Sequence, residues 1–181
     1  MDGESCIKKA YAFIFDNDFE QAIYWFEQAI AAEPDNASYH YKCAVSYARS
    51  GKWLKAKEHA AIALELDPEH DDYHYQLQTI EAKLLLIEAD ALLAAQPPML
   101  IEAAERMEQA ARLDPLCFEA FYKMGVVYAS LDRLENAWTN AKEAVRLDPS
   151  HSGAKRLFAD LNRQRRMLRS RIYIRQRKRN R

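Results

Sequence analysis

The sequence predicts an all-α repeat protein, and three observations carry that reading. Glycine (4) and proline (6) are scarce over 181 residues, too few for the many tight turns of a sandwich or barrel. Alanine, leucine, glutamate, lysine and arginine, all good helix formers, are plentiful. Alanines and prolines also recur in a fixed register, the mark of a supersecondary unit used several times over.

The register is anchored on Pro34, Pro68, Pro115 and Pro149, spaced 34, 47 and 34 apart. Twelve residues before each proline stands Ala22, Ala56, Ala103 or Ala137, and five before each stands Ala29, Ala63, Ala110 or Ala144. Phe26, Ala60, Met107 and Ala141 fall eight before. The prolines close the segments AAEPDN, LELDPEH, ARLDPLC and VRLDPSH, where an acid followed by proline ends one helix and is expected to open the next. Upstream of each set lies a second helical segment, with Ala10, Ala44, Ala91 and Gly125 at one fixed place and Phe13, Tyr47 and Tyr128 three residues later.

These recurrences give units at 3–36, 37–70, 71–117 and 118–150. The third is 13 residues longer than its neighbours, and the extra residues are helix-compatible, so one long helix is expected from about Asp71 to Ala95. Along it Tyr73, Leu77, Ile80, Leu84, Ile87 and Ala91 form a heptad-like seam. Its first half should project beyond its neighbours, making Tyr73, Leu77 and Ile80 a second interface that something must cover. Two coverings fit: the same segment of a second copy in a homo-dimer, which is preferred, or the chain's own arginine-rich end folding back. After Pro149, Leu157, Leu161, Leu168 and Ile172 lie on one stripe; to about Asn162 they read as a cap for the last open face, and residues 151–181 as capping helix and basic tail.

This pattern resembles the tetratricopeptide repeat, whose 34-residue unit places small residues where two helices cross and bulky ones beside them. The resemblance covers roughly residues 3–149 as four repeats and implies a right-handed solenoid with a C-terminal capping helix. Its departures are Cys6 and His40 where the family often has tryptophan, and Ala94 with the turn Gln96-Pro97-Pro98 in the third unit.

No catalytic or cofactor chemistry emerges. There is no Gly-rich phosphate loop, no GxSxG, HExxH or CxxC, so no enzyme and no cofactor is expected. His70 and His74 are four apart, as zinc ligands on one helix would be, but no second ligand pair accompanies them; a solvated helix start beside Asp71 and Asp72 reads better. His59 reads as surface and His40 as a replaced core aromatic. Cys6, Cys43 and Cys117 are odd in number and unpaired in pattern, each expected on an apolar helix face. With no apolar leader in MDGESCIKKA and no membrane-spanning run, the expected location is cytoplasmic.

What remains is a groove. The resemblance implies that the first helix of each unit lines a concave face, contributing Ile7, Tyr11 and Ile14, then Tyr41, Val45 and Ala48, then Glu88 and Leu92, then Tyr122, Val126 and Ala129. The positions at which some members clamp a terminal carboxylate hold Ile7, Tyr11, Lys42, Leu85 and Ala89, so that clamp is absent apart from a lysine in a different role. The expected function is a protein-binding adaptor, scaffold or chaperone-like module that takes a protein or peptide segment by apolar anchors. The alternative is a nucleic-acid or anionic-membrane binder acting through the tail. Net charge −1 conceals twelve bases against one acid in residues 151–181, including Arg165, Arg166, Arg169, Arg171, Arg175, Arg177, Lys178 and Arg179, and 14 bases against 26 acids elsewhere.

Overall fold

The computed structural model of the chain describes residues 2–179, with side chains from 2 to 170. Among the described residues it contains nine α-helices and no strand: α1 (Gly3–Phe15), α2 (Phe19–Ala32), α3 (Ala37–Arg49), α4 (Trp53–Leu66), α5 (Asp71–Ala94), α6 (Leu100–Leu113), α7 (Phe118–Ser130), α8 (Leu134–Leu147) and α9 (Ser152–Arg179). The chain divides into two compact units, Met1–Leu84 and Leu85–Arg181, with the boundary inside α5. No helix among the described residues is long and apolar enough to cross a membrane.

Alanine sets the packing in both units. In the first, α1 pairs with α2, α3 with α4, and α2 also lies against α3. Ala10, Ala22, Ala29, Ala44, Ala56 and Ala63 are completely buried there, and Phe26 fills the space beside them. In the second, α7 packs against both α6 and α8, and α9 closes on α8. Ala103, Ala110, Ala137, Ala141 and Ala144 are completely buried. At Gly125 even a methyl group would stand 3.3 Å from the Ala141 nitrogen and 3.1 Å from Leu157. The helices therefore cross at distances that only the smallest side chains permit.

Two kinds of turn punctuate the array. Three hairpins close through three residues, with Asn17, Gly51 and Asp132 in the left-handed region at φ 58, 73 and 55°. At each, two backbone bonds complete the helix end: Asp18 N–H to Phe13 O, Lys52 N–H to Tyr47 O and Arg133 N–H to Tyr128 O, all at 2.9 Å, beside shorter-range bonds from Asn17, Gly51 and Asp132. This is the Schellman arrangement, which suits glycine, asparagine and aspartate. The turns between hairpins use the acid–proline pair. Here the prolines correct the sequence expectation: they follow the C-caps Glu33, Asp67, Asp114 and Asp148 and stop well short of the next helix, which starts three residues later. The acids hold two of these turns. Asp114 Oδ1 accepts from Leu116 N–H (3.0 Å), and Asp148 Oδ1 from Ser150 and His151 N–H (2.8 and 3.1 Å).

α5 departs most from expectation. It has 24 residues against 13 in α1, α3 and α7, so eleven of the extra residues lengthen the helix; two more lengthen the following turn, residues 95–99. That longer turn shifts the register. Ala89, not Ala91, stands five residues before the helix end as Ala10, Ala44 and Gly125 do; Ala89 is completely buried and Ala91 exposed. The single seam is also corrected. Tyr73, Leu77, Ile80 and Leu84 share one face, which joins the first unit's core, whereas Ala82, Leu86 and Ala89 share the opposite face at 100° per residue. Ile87 and Ala91, on the extrapolated seam, are exposed.

The first half of α5 consequently does not project uncovered. Tyr73 is 6% and Ile80 1% exposed, and Leu77 is packed on the same core. Tyr73 stacks on His70 at 4.0 Å and lies 5.0 Å from Tyr41, while Glu81 pairs with Lys57 of α4 at 2.8 Å. The apolar side chains expected at a second interface are core residues of the first unit, so they need neither a second copy nor the C-terminal tail as cover.

The cap is anchored by four residues and extends further than expected. Leu161 is buried, Phe158 lies 5.9 Å from Trp138, and Trp138 Nε1 donates to Asn162 Oδ1 at 2.6 Å. Arg165 then sits 4.0 Å over the Trp138 ring and pairs with Glu135 at 2.7 Å. Past Asn162 the helix continues to Arg179, and Leu168, on the expected stripe, is exposed.

The corrected register has a direct test. Ala89→Leu forces a larger side chain into a filled crossing, which costs about 1–3 kcal/mol, or about 2–4 °C of melting temperature per kcal/mol in a chain this size. Ala91→Leu should leave the melting temperature within about 1–2 °C, as exposed substitutions do. Calorimetry of the two variants checks it; equal losses would restore the sequence-based register.

Candidate functional site: an aromatic cleft in the first unit

The first unit contains a cleft of about 250 Å³ lined by Tyr11, Ile14, Phe19, Phe26, Tyr41, Lys42, Val45, Ser46 and Arg49. Its position follows from the alanine crossings. With Ala10 and Ala44 filling the contacts between helices, the bulky residues next to them in the helical cycle, Tyr11, Ile14, Tyr41 and Val45, are displaced to the rim. Tyr11 meets Phe26 edge-on at 6.1 Å, and Tyr41 leans on Tyr73. Burial, followed by the charge of Asp72, holds the Tyr41 phenol above its ordinary pKa, so it presents a neutral ring and hydroxyl.

Four of the eleven groove residues inferred from sequence thus line one cleft, and the others lie elsewhere. Ile7 is buried in the core and Ala48 packs half-buried against it. The remaining five belong to the second unit, Ala129 among them half-buried. Glu88 pairs with Arg106 at 3.1 Å, and Leu92 is half-buried. Tyr122 stacks on Phe118 at 5.7 Å and approaches His151 at 4.9 Å beside the start of α9, and Val126 is exposed. The register shift replaces Glu88 and Leu92 by Leu86, Asp90 and Leu93 at the matching places. Of these, Leu86 is core and Asp90 holds Lys123 at 2.6 Å.

Phe19, Phe26, Ser46 and Arg49 were missed, and Lys42 was placed only at a clamp position, not among the groove's own contacts. Lys42, Val45, Ser46 and Arg49 recur at i, i+3, i+4 and i+7, a stripe on α3 that the sequence does display. Phe19 and Phe26 come from α2, the second helix of its hairpin, whereas the resemblance draws the groove from first helices alone.

Of the tail residues, Arg165 is a cap contact rather than a free cation, while Arg166 and Arg169 are exposed. Arg171, Arg175, Arg177, Lys178 and Arg179 lie outside the residues whose side chains are described.

The histidines and Cys117 also differ from expectation. His59 is not a surface residue: it stacks on Tyr47 at 5.4 Å, and its Nδ1 lies 3.1 Å from Nδ1 of His40. His40 Nε2 lies 3.0 Å from Pro34 O; a carbonyl can only accept, so Nε2 carries a proton and donates. In the neutral pair His40 Nδ1 then accepts from His59 Nδ1–H. His74, 34 residues after His40, repeats the contact by donating from Nε2 to Pro68 O at 2.7 Å, and His70 stacks on Tyr73; neither is simply solvated. Cys6 and Cys43 are buried on helices, but Cys117 is the N-cap of α7 and half-buried. Tyr47 and Tyr128 each donate a short hydrogen bond to a glutamate of the preceding helix, Glu27 and Glu108. Burial first, then this bond, pushes Tyr128 up to about 12 and Tyr47 in the same direction.

Comparison with known proteins agrees with this architecture. The family model described as TPR repeat matches residues 10–51, and the one described as tetratricopeptide repeat matches residues 102–152. The chain is a tetratricopeptide repeat protein. No curated protein sequence matches it. Among solved structures it is similar to MamA 41-end from Desulfovibrio magneticus RS-1, at 17% identity and a TM-score of 0.53 over 90% of this chain and 85% of that one. It is likewise similar to a MamA RS-1 ArsTM double mutant (17%, TM-score 0.54, 90% and 84%) and to MamA AMB-1 (18%, 0.52, 90% and 81%). These likenesses concern the fold. As a tetratricopeptide repeat protein the chain is a protein–protein interaction module.

The histidine pair makes stability depend on pH. Burial first, then His40, lowers the pKa of His59 below its ordinary value of 6.5, with Glu27 and Glu58 opposing. The unfolded chain therefore takes up that proton at a higher pH than the folded one, and stability is lost as pH falls through 6.5 toward the folded pKa. Thermal melts between pH 7.5 and 5.5 should show a falling melting temperature. His59→Gln, which keeps a donor for His40 but cannot titrate, should flatten that slope.

Proposed function

We propose that this tetratricopeptide repeat protein is a non-enzymatic adaptor or scaffold that holds a segment of a partner polypeptide in the cleft between α1, α2 and α3. The observation that carries the reading is the convergence of Tyr11, Ile14, Tyr41 and Val45 on one open cleft, with Phe26 as its floor. Tyrosine offers a large amphipathic surface at little conformational cost and is enriched in interfaces. The cleft suits one or two apolar side chains of a segment, not a folded domain. A cytoplasmic setting fits the three unpaired cysteines, Cys6, Cys43 and Cys117.

A photo-crosslinking residue at Val45 should capture a polypeptide in cells, and one at Glu65, an exposed position of α4 outside the cleft, should not. Tyr11→Ala should weaken the captured interaction about tenfold or more, the size of an interface hot spot, with the melting temperature lowered by no more than about 2–4 °C. Equal adducts from both positions, or none from Val45, would overturn the assignment.

A further inference from the structure

We infer that the cleft selects an internal acidic segment: an apolar anchor flanked by two carboxylate side chains. The inference rests on the proposed cleft and adds the chemistry of its occupant. The first unit is acidic, with fifteen aspartates and glutamates against eight lysines and arginines, yet none of those acids lines the cleft. The charged residues that do line it are Lys42 and Arg49.

Among the described residues neither cation pairs with a carboxylate. Lys42 Nζ donates to Ser38 Oγ at 2.8 Å and faces the rings of Tyr11 and Tyr39, at 6.0 and 5.9 Å. Arg49 faces the Phe19 ring at 5.6 Å. Elsewhere in the unit Lys8, Lys52, Lys55 and Lys57 each hold a glutamate within 2.9 Å. An ammonium has three donors and a guanidinium five, so most of the donors at the cleft are left for an incoming acceptor. Ring faces on one side and, at half-buried Lys42, a partly desolvated setting strengthen a charge-assisted bond formed there.

Spacing defines the segment. Lys42 and Arg49 are seven residues apart on α3, about 10 Å along the axis at 1.5 Å per residue. A segment in the polyproline II conformation rises about 3.1 Å per residue and returns every third side chain to one face, so it covers that distance in about three residues. Two acids at i and i+3 would meet the two cations while a residue between them reaches Tyr11, Tyr41 and Val45. Both cations lie on one helix and address side chains, so no free chain terminus is required.

The test uses the intact protein and a random library of heptapeptides, acetylated and amidated to remove terminal charges. Selection should enrich aspartate or glutamate three residues apart around an aromatic or aliphatic residue. Replacing those acids by amides should weaken binding about tenfold or more, Lys42→Gln with Arg49→Gln should erase the difference, and added salt should shrink it. Perturbation of the Tyr41 and Val45 resonances by the selected peptides places them in the cleft, and circular dichroism verifies that the variants fold. Cleft-bound peptides that are neutral or basic, or acidic ones indifferent to the Lys42 and Arg49 changes, overturn the charge selection and leave the cleft reading standing. Recovery of no peptide, or of peptides that leave Tyr41 and Val45 untouched, overturns both.

Discussion

The structure depends on helices crossing closely enough that only alanine or glycine fits between them. Close approach brings backbones within van der Waals reach, and alanine has no rotamer freedom to lose when buried. Ala10 with Ala22, Ala44 with Ala56, and Gly125 with Ala137 recur at a separation of twelve residues, the span of two helical segments joined by a three-residue turn. The same constraint creates the cleft. Where the crossing admits nothing large, tyrosine and branched aliphatic side chains must stand at its flanks, half in the core and half outside it. A core of this kind also inverts the usual mutational risk, since there is little to truncate and enlargement is what disrupts it.

α5 shows what happens when one helix carries two apolar faces. One face holds Tyr73, Leu77, Ile80 and Leu84, and the opposite face buries Ala82, Leu86 and Ala89. The two sets overlap in sequence and mimic a single continuous seam. The repeats and the alanine crossings were legible because each recurs at least three times in a fixed register. The phase of the third repeat was not. The two residues added to the turn before Met99 leave no periodic trace, and Ala91 and Ala89 are equally acceptable small residues when only composition is compared.

The site was legible in half. Tyr11, Ile14, Tyr41 and Val45 could be placed because they hold fixed offsets from a recurring alanine. The free charge of Lys42 and Arg49 could not, since a lysine or arginine on a helix is ordinarily solvated, and only the fold shows that neither pairs with a carboxylate among the described residues. His40 and His59 met the same obstacle: nineteen residues separate them in sequence, and their contact exists only because α3 and α4 form a hairpin. Burial of Tyr73 and Ile80 was misjudged for a related reason, because the first half of α5 takes the place of a following repeat's first helix over α3 and α4.

The acid–proline turns have a consequence that precedes folding. A proline ring cannot donate to a helix, and it biases the residue before it toward extended backbone in any conformation. Pro34, Pro68, Pro115 and Pro149 therefore act on the denatured ensemble, where transient helices nucleate and extend. Nascent helical stretches in that ensemble meet the same four barriers that bound α2, α4, α6 and α8 in the folded chain. Helix endpoints at these places are written into covalent structure, and the search for the native state begins with them already imposed.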